Sequence, residues 1–181
     1  MPITDEQIKL LNAYRDRSYV SNVLCDQCAD VYSFIKTLCN MPLIISSSLM
    51  TIFNSSFNAD DMKISNVIIN GLTALILSLI SNFKLQEKQS NFKTIGIKFN
   101  KLCHNIEDKL TNDLDGITTD HIRHFINEYD SLNENLDYPY IGYIKERVIK
   151  KYKGVKALPN SCNCVNEITR RNLDGPSIAS I

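Results

Sequence analysis

The sequence predicts an all-α protein built on an antiparallel transmembrane helical hairpin, with amphipathic cytosolic helices extending from it. Three observations carry this. Residues 37–59 and 64–83 hold no charged side chain, only a short polar connector separates these two windows, and apolar repeats of helical spacing flank them on both sides.

The first helix begins at a local signal. Thr4-Asp-Glu-Gln7 fits a capping box, in which the Thr hydroxyl accepts from the N3 amide and the Gln side chain reaches back. Leu24, Cys28, Val31, Ile35 and Leu38 then recur at steps of four and three, which places them on one stripe. Such a stripe is packing surface, so residues 1–38 are expected to form an N-terminal amphipathic helix.

Residues 39–83 follow as a two-span membrane hairpin. The window 64–83 is 20 residues long, enough at about 1.5 Å per residue to cross a hydrocarbon core of about 30 Å. Its eleven Leu, Ile, Val and Phe residues favour insertion by roughly 3 to 7 kcal/mol in sum. Asn66, Asn70, Thr73, Ser78 and Ser81 offset part of that. The window 37–59 is poorer, interrupted by Asn40, Ser46, Ser47, Ser48, Thr51 and Asn54. Pro42 suits the first turn of a helix, where its missing amide is harmless, so a break is expected near Asn40 and the first span starts there. Small or hydrogen-bonding residues suit close helix contact in a membrane, which selects Ser46, Ser47, Ser48, Asn70, Gly71 and Thr73 as helix-packing positions.

The connector, residues 58–63, has two Asp and one Lys, whereas Lys36 precedes the first span and Lys84, Lys88, Lys93, Lys98 and Lys101 follow the second. By the positive-inside rule both termini lie in the cytosol. A soluble bundle with the hairpin as its core would show the same windows, although such bundles rarely hold two adjacent charge-free stretches this long.

Residues 84–156 read as a cytosolic helical region. Leu85, Phe92, Phe99 and Ile106 repeat every seven residues, with Ile95 and Leu102 between them, on a helix expected to continue from the second span to about Leu110. With the Leu24 stripe it should form a stalk. A break is expected over residues 112–116, with Thr118 or Thr119 capping the next helix and Ile122, Phe125, Ile126, Tyr129, Leu132 and Leu136 forming its apolar face. Pro139 opens a shorter helix to about Tyr152. Residues 157–181 read as an irregular polar tail that orders on a partner.

Composition removes several function classes. A chain of 181 residues with formal net charge zero lacks the basicity of a protein that binds nucleic acid through many phosphates. The first residues show no basic segment leading into an apolar run, so no cleaved signal peptide is expected. Cys25-Asp-Gln-Cys28 has redox spacing but lies within a helix, without the flanking strand of a thioredoxin-like site. Zinc could draw on Cys25, Cys28, Cys162 and Cys164, yet nothing in their spacing requires it. His104, His121 and His124 read as exposed polar positions, and no nucleophile, phosphate-loop or paired-carboxylate pattern stands out. No catalytic residue, metal or cofactor is therefore assigned, and no enzyme activity is expected.

The strongest local charge lies over residues 145–156, with six basic residues and one acid. Such a cluster can rest on anionic headgroups or simply be solvated. Tyr138, Tyr140 and Tyr143 with Lys145, Arg147, Lys150 and Lys151 are the candidate contacts to a partner protein or to lipid.

The runs 64–83 (ISNVIINGLTALILSLISNF), 91–102 (NFKTIGIKFNKL) and 152–159 (YKGVKALP) resemble two-transmembrane SLATT-type domains, above all those encoded by large nucleocytoplasmic DNA viruses. The likeness spans roughly residues 33–159 and consists of hydropathy and packing motifs. It implies a virion membrane or minor capsid protein that anchors the viral inner membrane to the capsid shell, with lipid and capsid proteins as partners. The alternative it implies is an oligomeric pore-forming effector of the bacterial kind, for which several copies of this chain would have to assemble. The sequence shows no fused sensor domain, which favours the structural role.

Overall fold

The computed structural model describes residues 4–56, 59–114 and 116–162, and side chains outside 53–62. It is all-helical among these residues, with α1 Asp5–Ser56, α2 Ala59–Asn82, α3 Leu85–Asn112, α4 Thr119–Glu134 and α5 Gly142–Tyr152. The chain divides into two compact units, one formed by Met1–Cys28 with Asn91–Ile181 and the other by Ala29–Ser90.

The Met1–Cys28 and Asn91–Ile181 unit has a conventional core. Thr4 caps α1 as expected, its hydroxyl accepting from the Gln7 amide at 3.3 Å while Gln7 Oε1 accepts from the Thr4 amide at 3.0 Å. Leu11, Val20 and Leu24 of α1, with Phe92, Phe99, Leu102 and Ile106 of α3, are buried. Ser18, Ser21, Cys25 and Cys28 of α1 are also buried, at steps of three and four. These small residues let α3 approach closely: a Cβ added to Gly96 would stand 3.0 Å from Cys25 Cβ. Tyr129 of α4 closes the core against Tyr14, with ring centroids 5.3 Å apart, and against Phe99 at 5.7 Å. Thr118 caps α4, its hydroxyl accepting from the His121 amide, while His121 Nδ1 accepts from the Thr118 amide. His121 thus has a local structural role that its residue type alone did not announce.

Four expectations are corrected. Pro42 sits inside an unbroken α1, so the break near Asn40 does not occur. Proline removes one amide from the ladder, and the long helical stretches on either side hold the backbone in register around it. The helix of the heptad stripe does not continue from α2. Residues 83–84 form a turn in which Lys84 takes φ 49° and its amide donates to Ser81 O at 3.1 Å. That left-handed residue ends α2, much as glycine ends many helices. The connector is shorter than expected, because α2 already starts at Ala59; residue 58 lies outside the described residues. Finally, residues 157–162 are not irregular tail. Pro159 and Cys162 are fully buried, and Lys156 Nζ lies 3.3 Å from Asp16 Oδ1. The rest of the expected tail, 163–181, lies outside the described residues.

The Ala29–Ser90 unit has the opposite character. Apart from Ala29 and Leu85, its described residues are exposed or half-buried. Lys36 Nζ donates to Gln86 Oε1 at 3.3 Å, a polar cross-link within it.

Candidate functional site

Helical periodicity alone would make α1 and α2 ordinary core helices. The apolar windows of both are instead left uncovered within this chain. The helical stretches Asp5–Ile52 and Lys63–Asn112 each contain an 18-residue window, of mean hydropathy 1.3 and 1.8, and no residue of either window is buried. Phe34, Leu38, Ile44, Ile45 and Ile52 are exposed on α1, and Ile64, Val67, Ile68, Leu72, Leu75 and Leu79 on α2. Ile64 is 75 % and Val67 69 % exposed. A surface this apolar and this long is unfavourable against water and suits hydrocarbon or another protein. These are two helices long and apolar enough to cross a membrane.

Within the same unit, a cavity of about 420 Å³ is lined by Ser46, Ser47 and Thr51 of α1 and Asn66, Asn70 and Thr73 of α2, among apolar neighbours. Its polar lining follows from spacing, since Asn66, Asn70 and Thr73 stand at i, i+4 and i+7 on one helix face. Several hydroxyls are already committed to the backbone. Ser46 Oγ donates to Leu43 O at 3.0 Å, Ser48 Oγ to Ile44 O at 2.9 Å and Thr51 Oγ1 to Ser47 O at 3.0 Å. Of the six expected packing positions the cavity gathers Ser46, Ser47, Asn70 and Thr73. Ser48 and Gly71 are exposed away from it, and a Cβ on Gly71 would meet nothing within 4 Å.

The stalk positions Phe92, Phe99 and Ile106 are fully buried in the unit that holds α4 and α5, and Leu85 is buried in the other. On α1, Leu24 and Cys28 are buried while Ile35 and Leu38 are exposed. The α1 stripe therefore changes character at the boundary between the units, which falls after Cys28.

The tyrosine and basic positions separate into two groups. Tyr140 is half-buried and turned toward the core: its hydroxyl accepts from Cys25 Sγ at 3.8 Å and its ring stands 6.0 Å from Phe92. Burial holds its hydroxyl well above the usual phenol range. Tyr138 and Lys145 are half-buried and line, with Tyr140, Asp130 and Asp137, a cavity of about 520 Å³. Tyr143, Arg147, Lys150 and Lys151 are exposed, with Tyr143 at 58 %. This second group is an accessible aromatic and cationic surface on α5.

Cys25 and Cys28 are structural in their geometry. Burial pushes the Cys25 thiol up to about 12, and also raises Cys28, whose Sγ accepts from the Ile141 amide at 3.5 Å. A protonated, buried thiol is a poor nucleophile and a poor metal ligand. Among the described residues no group of three or more His, Cys, Asp or Glu is placed to hold a metal; Cys164 lies outside them. His104 is exposed, and His124 lies 3.8 Å from Glu128 on the solvent side of α4.

Comparison with protein-family models, with curated proteins and with solved structures finds no match for this chain. Its class is therefore defined by its own geometry: an all-helical protein with two exposed apolar helices, each long enough to span a bilayer, and a separately cored helical unit.

Proposed function

We propose that this protein is a structural integral membrane protein that crosses the bilayer twice as a helical hairpin and carries its helical unit on the cytosolic side. The absence of any buried residue in the two apolar windows carries this reading, because water is the one surrounding in which that surface is unfavourable. Fewer than a handful of residues separate α1 from α2, which supports an antiparallel turn, and the lysine bias at residues 84–101 supports cytosolic termini. The resemblance of residues 64–83, 91–102 and 152–159 to viral SLATT-type proteins supports a specific setting. There the protein joins the inner membrane of a large icosahedral DNA virus to its capsid shell, as a membrane anchor or minor capsid protein.

The polar lining of the cavity at Ser46, Thr51, Asn66 and Thr73 favours one second reading, an oligomeric pore. One hairpin cannot enclose water, so that reading needs several copies. Ion flux from purified protein in liposomes separates the two, since an anchor gives none.

Topology is tested by cysteine labelling in a variant lacking the native cysteines. A cysteine at Ala59 should react only after permeabilisation, and one at Ser131 should react from the cytosolic face. The reverse pattern overturns the orientation, and release of the protein by alkaline carbonate overturns membrane integration.

A further inference from the structure

The outer side of α5 carries one aromatic and cationic stripe. Tyr143, Arg147, Lys150 and Lys151 stand at i, i+4, i+7 and i+8, so they share a face, and all four are exposed. Ile144, Val148 and Ile149 are buried in the core, which fixes the direction in which the stripe points. Among the described residues Arg147 and Lys150 make no ion pair, and Lys151 lies over the Tyr152 ring at 5.2 Å. Glu146, the one acid between residues 138 and 162, is exposed as well and leaves the stripe in positive excess.

The turn after α5 adds a fourth exposed cation and an apolar tip. Lys153 is exposed and makes no ion pair among the described residues, Gly154 takes φ 81° with no atom within 4 Å of its Cβ position, and Val155 is 76 % exposed. The turn is nonetheless pinned at both ends. The Lys153 amide donates to Ile149 O at 2.8 Å, and the Val155 and Lys156 amides both donate to Tyr152 O at 3.1 Å. Beyond the tip, Lys156 Nζ lies 3.3 Å from Asp16 Oδ1 and 4.6 Å above the Tyr19 ring. Val155 is thus held outward by an ordered turn.

Resting on the bilayer reading above, we infer that this face docks on anionic lipid headgroups, with Arg147, Lys150, Lys151 and Lys153 against the phosphates and Val155 at the boundary of the acyl layer. Charge complementarity selects this occupant, because cytosolic leaflets carry the anionic lipid that an unpaired basic cluster attracts. Composition favours it over a protein partner. Lysine is strongly hydrated and depleted from protein interfaces, yet it supplies three of these four cations. A valine projecting among cations gains nothing from a hydrated polyanion, whereas the headgroup boundary accepts apolar side chains, and tyrosine is enriched at the same level.

The chain has no tryptophan, so Val155→Trp places a single reporter in the full-length protein. In vesicles of phosphatidylcholine mixed with phosphatidylserine, its emission should shift to shorter wavelength and be quenched by lipid with brominated acyl chains. In phosphatidylcholine alone neither should occur. Adding Lys150→Gln, Lys151→Gln and Lys153→Gln should weaken the contact about a hundredfold, at roughly fivefold per charge. Raising salt from about 0.1 M to 1 M, which cuts the screening length from about 10 Å to 3 Å, should release it. Tyr143→Trp, which keeps Val155 native, should report the same pattern. Equal quenching in both kinds of vesicle, or quenching that survives the three Gln substitutions, overturns the headgroup recognition. Absence of quenching in both overturns the lipid contact and assigns the face to a protein partner. These outcomes leave membrane integration intact, whereas recovery of wild type in the aqueous fraction after carbonate treatment overturns both readings.

Discussion

Phe99 and Cys25 show how much a single side chain decides in the cored unit. Phe99 is fully buried and lies 5.7 Å from the Tyr129 ring, so Phe99→Ala removes a large apolar volume where neighbours on two helices are fixed. It should destabilise the protein by about 3 to 5 kcal/mol, read as a lowered unfolding midpoint in detergent. Cys25 gives a pH signature. Burial raises its folded value to about 12, above that of an exposed thiol. The folded state then holds the proton after the unfolded state has lost it, so the contribution is complete below pH about 9 and is lost between there and about 12. Chemical denaturation across that window should show stability falling with pH, and Cys25→Ala should reduce the slope by up to about 1.4 kcal/mol per pH unit. The heptad positions were legible because apolar periodicity survives whatever packs against it. The small residues Ser18, Ser21 and Gly96 were not, since their signal is the absence of a side chain, and only the position of α3 makes it meaningful.

At the scale of elements, local chemistry was readable and backbone exceptions were not. The caps at Thr4 and Thr118 follow from groups within three residues of each other, so the sequence contains the whole interaction. Pro42 and Lys84 exchange the roles that propensity assigns them. Proline lies inside a continuous helix, and a lysine, an ordinary helix former, ends one in the left-handed region. The charged Lys84–Glu87 pair at 3.3 Å is exposed on both sides and does little to hold that turn. A non-glycine residue there costs about 1 kcal/mol relative to glycine. Lys84→Gly should therefore raise the unfolding midpoint slightly or leave it unchanged, and Lys84→Val should lower it. If both lower it equally, α2 is not ended by backbone conformation at this position.

Across the whole molecule, the two units divide the chain's apolar residues by what covers them. The charge-free windows were visible in the sequence because an insertion-competent stretch is a composition, whereas the docking of residues 157–162 was hidden. Pro159 and Cys162 become core only once the helices of their unit are assembled around them. This changes how a partner surface can be tested. Removing residues 138–181 would also remove Ile144, Val148, Pro159 and Cys162 from the interior, together with the half-buried Tyr140, and a lost interaction would then report unfolding. The exposed group on α5 avoids this, because Tyr143, Arg147, Lys150 and Lys151 are exposed, Lys151 standing over the Tyr152 ring at 5.2 Å, and surface substitutions of this kind change stability by about 0.5 kcal/mol or less. If this face joins the membrane protein to a capsid shell, Tyr143→Ala combined with Lys150→Glu and Lys151→Glu should leave membrane integration and the unfolding midpoint unchanged. Incorporation into particles in infected cells should fall at least tenfold. A variant that removes charge alone, Lys150→Gln with Lys151→Gln, separates protein docking from headgroup attraction. It should lose binding to vesicles containing anionic lipid if the lysines serve the membrane, and lose particle incorporation without that change if they serve a protein. Normal incorporation of the triple variant would remove α5 from the interface and leave the cavity at Asp130, Asp137 and Tyr138 as the next surface of this unit to alter.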